Sequence, residues 1–579
     1  MKLVEALKIL RDNPPTGSEN HNVFLACGFT PLHLQTFLGA YLRRLFPDRR
    51  ISIHTGLFSD CLGNLERLPK SPLDAVAVVL EWDDLDPRLG LRQLGGWGPG
   101  IHSDILTNVE NRLDRFFKAI VDAADEYPVA LCSPTLPLPP ISFQPRWQDG
   151  AFELELHDSL GRFSATIARI RGVRVASRQR LEEESPASER RDIKSELTTG
   201  FPYRLAHAST VAGFLARLIC PPAPKKGLIT DLDDTLWHGI LGEVGIRGIT
   251  WDLDHHSLIH GLYQQVLGSL AETGVLIAAA SKNNRETVDQ AIQREDLVIP
   301  GRYLFPVEAH WGPKSDSVGR ILRTWNIAAD SVVFVDDSPL ELAEVKAAYP
   351  DIECLRFPTH DYREAYAFLG ELRDLLGKET IVAEDSIRRE SLRRSALFHE
   401  GDSASLTPSM GFLKDVEAEL SLDFAKDPED PRAFELINKT NQFNLNGRRY
   451  SQGRWRDYLR QLDTFLLRVA YRDKFGPLGT IAVLAGRRQP EALQIDFWVM
   501  SCRAFSRRIE HRCLEQLFEQ LEVERIAFDY QPTQRNGPLQ DFFSSLLDGV
   551  PQPGFQLTRD RFKARCPALF HRLVSLPNG

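Results

Sequence analysis

The sequence predicts an α/β chain of several domains, and three observations carry that prediction. Short apolar runs ending in polar or turn residues alternate with helical patterns. "NVFLACGFTP", "RISIHTGLF" and "DAVAVVLEW" are interleaved with stretches such as "PLHLQTFLGAYLRRLF", as strands of a parallel sheet are with their crossover helices. The alternation restarts after "PPAPKK" (221–226) with "GLIT", "VLIAAAS" and "SVVFVDD". From about residue 410 the pattern turns to mixed α+β, where "LQIDFWVM" alternates as a half-buried strand. At roughly 150 residues per domain, 579 residues correspond to three or four domains.

In order, residues 1–200 form the first α/β domain. It opens on "MKLVEALKILRDNPP", a short amphipathic helix stopped by Pro14 and Pro15, without the apolar core and cleavage site of a signal peptide. Within it, "LEEESPASERRDIKSE" (181–196) is charged and reads as a solvated loop or linker. Residues 221–375 form the second α/β domain, 376–408 a charged helical connector, and 409–579 the α+β domain.

Composition narrows the function. A net charge of −9 and a pI near 6.0 argue against a general nucleic-acid binder. No apolar run is long enough to cross a bilayer, so no membrane partner is expected. The eight cysteines form no CxxC pair, which fits free thiols in a reducing cytoplasm.

The chemistry concentrates in the second domain. Asp231, Asp233 and Asp234 crowd behind the strand "GLIT"; Ser281 ends "VLIAAAS"; Asp336 and Asp337 end "SVVFVDD"; Lys314 stands between in "HWGPKSD". A doubly wound sheet would bring Asp231, Ser281 and Asp336 to one carboxyl edge, where open α/β sheets bind ligands. There a carboxylate can attack phosphorus, and a second, two residues on, can protonate the leaving oxygen and later activate water. Mg²⁺, which takes oxygen ligands, would offset the crowded negative charge. Lys314 and the Ser281 hydroxyl would hold the phosphoryl oxygens. The short stretch between Asp231 and Ser281, largely taken by a helix, leaves room for a small flap rather than a full cap domain, and hence an open site.

These residues resemble the haloacid-dehalogenase (HAD) superfamily, with Asp231-Leu232-Asp233-Asp234-Thr235 as its DxDxT signature, followed by Ser281, Lys314 and Asp336-Asp337. The resemblance implies a HAD-like Rossmannoid domain with a minimal cap. It makes Asp231 the nucleophile and Asp233 the acid/base. Mg²⁺ would be held by Asp231, the Asp233 carbonyl and Asp336, with Asp337 in the metal's surroundings. Thr235, Asn283 and Asn284 stand as substrate-binding candidates beside these stations.

"DLDDTLWHGILGE", "SKNN", "FVDDSPLELAEV", "LINKTNQFNLNGRRY" and "SCRAFSRRIE" together look like FkbH-type proteins, in which a HAD domain is joined to an acetyltransferase-like (GNAT) domain. The resemblance implies glyceryl transfer from 1,3-bisphosphoglycerate, with loss of phosphate, onto the phosphopantetheine thiol of an acyl carrier protein for polyketide-type biosynthesis. Many members have Asn at the position of Asp234 and Gly at that of His238, and some carry Cys where Leu232 stands, so any thioester thiol must come from elsewhere.

Cys502, in the loop between "LQIDFWVM" and the helix "IEHRCLEQLFEQL", is the acyl-carrying candidate, because a helix N-terminus after a strand suits a pyrophosphate or pantetheine arm. Arg503, Arg507 and Arg508 would favour its thiolate, and a small buried core residue is the alternative. "RAFSRRIEHR" would steer an acidic carrier protein or be an ordinary solvated surface. Asn438, Thr440, Asn441, Gln442 and Asn444 are candidates for substrate or pantetheine contacts, or for turn hydrogen bonding. "CGFTPLHLQTFLGAYL" resembles the opening of an SGNH-hydrolase-like domain, but without a GDS triplet; Thr30 is the nearest hydroxyl, His207 a late histidine, and the domain is expected to be noncatalytic. The alternatives to acyl loading are a Mg²⁺-dependent phosphatase of a small phosphorylated metabolite and a noncatalytic carrier-protein scaffold.

Overall fold

The computed structural model describes the chain except residues 12–18, 70–71, 95–96, 382–413, 415–416, 441–442, 475, 490–491, 502–503, 505–506, 534–535, 548 and 575–579. Two compact units emerge: Met1–Pro222 with Tyr450–Tyr458, and Ala223–Arg449 with Leu459–Gly579.

The first unit is built on five parallel strands, β1 (Asn20–Cys27), β2 (Arg50–Thr55), β3 (Ala75–Val79), β4 (Val129–Cys132) and β5 (Val173–Val175), in the order β2-β1-β3-β4-β5. β3 and β4 are apolar throughout and buried throughout, as strands covered on both faces are. The unit extends beyond the predicted boundary at 200. Helix Leu205–Ile219 buries Val211, Ala212, Leu215 and Ile219 in the same core as Phe37 and Leu38. The stretch 181–196 is not a linker either. It carries most of helix Arg178–Glu184 and the start of helix Ile193–Thr199, and not all of its charges face solvent. Arg190 is buried, donates to the carbonyls of Ser185 and Thr135, and pairs with Glu182.

The second unit holds two sheets. One has five parallel strands, β6 (Gly227–Thr230), β7 (Leu276–Ser281), β8 (Leu304–Ala309), β9 (Val332–Asp336) and β10 (Glu353–Arg356), in the order β10-β9-β6-β7-β8. The chain leaves β6 toward β7 and β8, then returns to lay β9 on the other flank of β6. That reversal puts a topological switch point between β6 and β9, at whose carboxyl edge Rossmann-like sheets bind ligands. β6, β7 and β9 are wholly buried. Helix Lys314–Trp325 repeats apolar residues at Val318, Ile321, Leu322 and Trp325, so one face packs on the sheet. It stops at Asn326 in the left-handed conformation. Gly227 opens β6 because the Trp325 ring lies close: a Cβ there would stand 2.6 Å from Trp325 Cζ3.

The other sheet has seven strands, β11 (Glu419–Asp423), β12 (Thr464–Asp473), β13 (Gly476–Arg488), β14 (Leu493–Met500), β15 (Arg525–Phe528), β16 (Gln556–Thr558) and β17 (Arg572–Val574), ordered β16-β15-β14-β13-β12-β11-β17. β11 to β14 are antiparallel in succession; β15 joins β14 in parallel. β14 and β15 pair only over Leu493–Ile495 and Ile526–Phe528. Beyond that, Phe443–Asn446 takes over as the neighbour of β14: Leu445 N donates to Trp498 O at 3.0 Å and Met500 N to Phe443 O at 3.0 Å. The predicted connector 376–408 falls almost wholly outside the described residues; what precedes it is helix Tyr362–Leu376.

Candidate active site

The loops at the carboxyl edge of β6, β7 and β9 bring four predicted stations together. Asp231 is the first residue past β6, its backbone N–H bonded to Val335 O at 2.8 Å, so it continues the β6–β9 ladder. Asp336 is the last residue of β9, and its Oδ1 accepts from Ser338 N at 2.9 Å. Lys314 opens its helix behind Pro313 and is buried. Its ammonium lies 2.8 Å from Asp231 Oδ1 and 2.6 Å from Asp336 Oδ2. Ser281, the last residue of β7, is buried and accepts from Asn283 Nδ2 at 3.0 Å.

Burial dominates the electrostatics. It pushes the Asp231 carboxyl up to about 7, with Lys314 pulling the other way and Asp336 adding to the rise. Asp336 is raised by burial against the pull of Lys314, and Asp337 by burial and by the neighbouring Asp336 and Asp234. Burial works to lower the Lys314 ammonium, yet Asp231 and Asp336 outweigh it and hold it above the ordinary lysine value. A cation arriving among these carboxyls would displace their protons and offset the crowded, desolvated charge. Asp231, Asp336 and Asp337 offer carboxylate oxygens within 4.8 Å of one another, the one such group of three among the described residues. A hard, all-oxygen donor set fits Mg²⁺ rather than a thiophilic metal.

The Asp233 carboxylate is not one of that group of three. Its Oδ1 accepts from the Trp237 indole at 3.0 Å and from Leu241 N at 3.1 Å, and its Oδ2 from Asn283 Nδ2 at 2.8 Å. Of the metal ligands expected, its carbonyl remains the group on offer. Trp237 and Leu241 belong to the flap between β6 and helix Leu258–Glu272, which holds one four-residue helix, Leu241–Val244, and a bridge between His238 and Thr250. Asp234 adopts φ +50°, accepts from Gly239 N at 2.8 Å, and lies 3.4 Å from His238 Nδ1. The Trp237 contact was hidden in the sequence, since a Trp in "DTLWHGIL" reads as core, and its ring is fully buried.

The three substrate-binding candidates of this domain have these surroundings. Thr235 is fully buried, its hydroxyl without a hydrogen-bond partner among the described residues, and its carbonyl accepts from His260 Nδ1 at 2.9 Å. Asn284 caps helix Arg285–Ile292, accepting from Thr287 N at 3.2 Å. Asn283 spends its amide on Asp233 and Ser281.

In the α+β sheet, Cys502, Arg503, Asn441 and Gln442 lie outside the described residues. Arg507 stacks over the Tyr471 ring at 5.3 Å and Arg508 donates to Ala568 O at 2.8 Å. Cys513 is buried on the inner face of helix Ile509–Gln520, its thiol driven far up by burial. The neighbouring amides build a turn. Asn444 donates to Thr440 O and accepts from Gly447 N, Asn446 donates to Asp496 O and Asp529 O, and Asn438 donates to Phe434 O.

In the first unit, Thr30 donates to Thr199 O at 2.8 Å. His207 is fully buried between Ser185 Oγ (2.9 Å, Nδ1) and Thr135 Oγ1 (2.9 Å, Nε2). Thr135 and Tyr203 each donate to Glu81 Oε1 at 2.6 Å. Thr135 spends its one hydroxyl proton on Glu81, so His207 must donate from Nε2 and accept at Nδ1. Burial lowers His207 to about 3 and raises Glu81 to about 7. His207 is thus a neutral, enclosed group held by two hydroxyls within the first unit.

No family model and no curated protein matches the chain. Among solved structures it is similar to one from Bacteroides fragilis, described as the N-terminal part of the protein BF1531, containing a phosphatase domain and complexed with Mg. The identity is 18% at a TM-score of 0.52, over 66% of this chain and 100% of that one. At that identity the likeness speaks for the fold: an α/β multidomain architecture with parallel, Rossmann-like sheets. A second solved chain, 12% identical over 34% of this one and 96% of its own length, reaches a TM-score of 0.21 and bears on nothing further. No described helix is long and apolar enough to cross a membrane.

Proposed function

We propose that the chain is a Mg²⁺-dependent phosphatase-type enzyme of the HAD kind, working through an aspartyl-phosphate. The observation that carries this reading is the meeting of Asp231, Lys314 and Asp336 within hydrogen-bond distance at the switch point of a parallel sheet. Asp231 Oδ attacks phosphorus, the bond from phosphorus to the leaving oxygen breaks, and Asp233 gives that oxygen its proton. Asp233 then takes a proton from water, whose oxygen attacks phosphorus and releases Asp231. Lys314 and Ser281 hold the phosphoryl oxygens as charge spreads over them. Asp231, Asp336 and the Asp233 carbonyl, with Asp337 alongside, would hold Mg²⁺, which when bound neutralises charge on the phosphoryl oxygens.

The finer reading rests on the FkbH-type resemblance. The enzyme takes 1,3-bisphosphoglycerate; the phosphopantetheine thiolate of an acyl carrier protein attacks the acyl carbon, inorganic phosphate leaves, and the HAD site removes the remaining ester phosphate. A GNAT-like α+β domain would receive the carrier's arm. A flap in place of a cap domain supports it, since an open edge admits a protein-borne substrate. The second reading, a phosphatase of a small metabolite, is favoured by the Mg-complexed phosphatase domain of the Bacteroides fragilis neighbour.

Holo-carrier protein incubated with enzyme, Mg²⁺ and 1,3-bisphosphoglycerate, then weighed by mass spectrometry, separates the two. A glyceryl mass gain supports loading; phosphate release without it supports the simple phosphatase. An Asp231→Asn variant that still released phosphate at the wild-type rate would sink both.

A further inference from the structure

We propose that Lys282 reads a second anionic group on the substrate, making this site selective for phosphate monoesters that carry a distal carboxylate or phosphate. The inference deepens the phosphatase reading and rests on it.

Lys282 follows Ser281 directly, at the carboxyl end of β7. Its ammonium lies 2.7 Å from Glu341 Oε1, and Glu341 sits in the first turn of helix Pro339–Ala348, which follows β9. In the order β9-β6-β7, a link from the end of β7 to the helix after β9 passes the end of β6, where Asp231 stands. The pair therefore stands at the same carboxyl edge as the phosphoryl position.

The two lysines of the site differ in availability. The Lys314 side chain is 5% exposed and shared between Asp231 and Asp336; that of Lys282 is 37% exposed and pairs with Glu341, with Glu344 in electrostatic reach. The rest of the mouth is acidic, with Asp233, Asp234 and Asp337 close by. A substrate bearing one anionic group is served by the Lys314 side of the site. One bearing two brings a second charge into acidic surroundings and needs a second cation. An ammonium on a flexible four-carbon stem can turn from a carboxylate partner to a ligand. Glu341 suits such an exchange: its Oε2 is buried without a hydrogen-bond donor among the described residues, and Glu344 stands beside it as a second carboxylate within electrostatic reach of Lys282. Glu341 also makes Lys282 costly to delete, because deletion strands a mostly buried carboxylate. The test therefore needs both partners.

The probes are 2-phosphoglycolate, with a distal carboxylate, and glycerol 3-phosphate, an alkyl ester without one. Lys282→Met should raise KM for 2-phosphoglycolate about tenfold with kcat changed far less, and leave glycerol 3-phosphate nearly unchanged. Glu341→Gln breaks the same ion pair but should keep KM for 2-phosphoglycolate near wild type. The double variant, free of the stranded carboxylate, should behave as Lys282→Met. Equal effects of Lys282→Met and Glu341→Gln on both substrates would make the pair a brace and overturn the inference. So would wild-type hydrolysis of both esters without preference, which leaves the phosphatase reading standing. Hydrolysis of neither ester by the Mg²⁺-loaded enzyme removes that reading and this inference with it.

Discussion

Asn283 donates one side-chain amide to two catalytic candidates, Asp233 Oδ2 at 2.8 Å and Ser281 Oγ at 3.0 Å. It thus ties the proposed acid/base to the proposed phosphoryl-binding station, which gives it a positioning role in that reading. Asn283→Ala should lower kcat by about 10- to 100-fold with little change in KM. The loss should be larger for glycerol 3-phosphate than for p-nitrophenyl phosphate, whose leaving group departs without a proton. A purely structural role would depress both equally.

Asp231 provides a pH test of the metal site. Its carboxyl is pushed up to about 7 from an ordinary 3.8, so the folded apo-protein binds a proton there that the unfolded chain has released. This group's contribution to stability therefore falls as pH rises from about 4 to about 7. Mg²⁺ must displace that proton, so its affinity should climb with pH over the same window and level off above it. Calorimetric titrations in buffers of different ionisation heat should show proton release that disappears in Asp231→Asn.

Lys314→Met removes the one cation between two buried carboxylates. The cost expected for breaking such a buried pair is about 3 kcal/mol or more at neutral pH. It should shrink in acid, where the carboxyls are protonated, and Mg²⁺ should recover part of it. Thermal unfolding with and without the metal reads all three.

Glu81 and His207, joined through Thr135, give the first unit opposing pH dependences. Glu81 is raised from 4.5 to about 7, so its contribution falls as pH rises through that range. His207 is lowered from 6.5 to about 3, so its contribution rises with pH through that range. Where the windows overlap they offset each other. Glu81→Gln should unmask a stability that climbs with pH between about 4.5 and 6.5, and His207→Asn one that declines, both measured by hydrogen exchange of β3 and β4 amides.

The sheet strands and the four stations were legible because strands buried on both faces spell apolar runs, and polar residues at their ends stand out: Asp231, Ser281 and Asp336 each follow such a run directly. Side-chain direction was not legible. Nothing in "SKNN" distinguishes an amide facing a ligand from one facing Asp233 or capping a helix, and nothing in "DLDDT" shows that Thr235 points inward. Charge was read as solvation at 181–196, where Arg190 is buried among carbonyls instead. Composition counts charges without seeing their partners. The 200 boundary failed for a similar reason: helix Leu205–Ile219 is apolar enough for either neighbour, and only packing assigns it.

β14 parts from β15 after three paired residues, and Phe443–Asn446 lies along the remainder. Two diverging strands would otherwise leave amides and carbonyls bare in the middle of a sheet, an invitation to any extended peptide that drifts by. By lending its own backbone to that wedge, the chain guards against adhesion to copies of itself. Whatever enters there as a guest must first evict a resident.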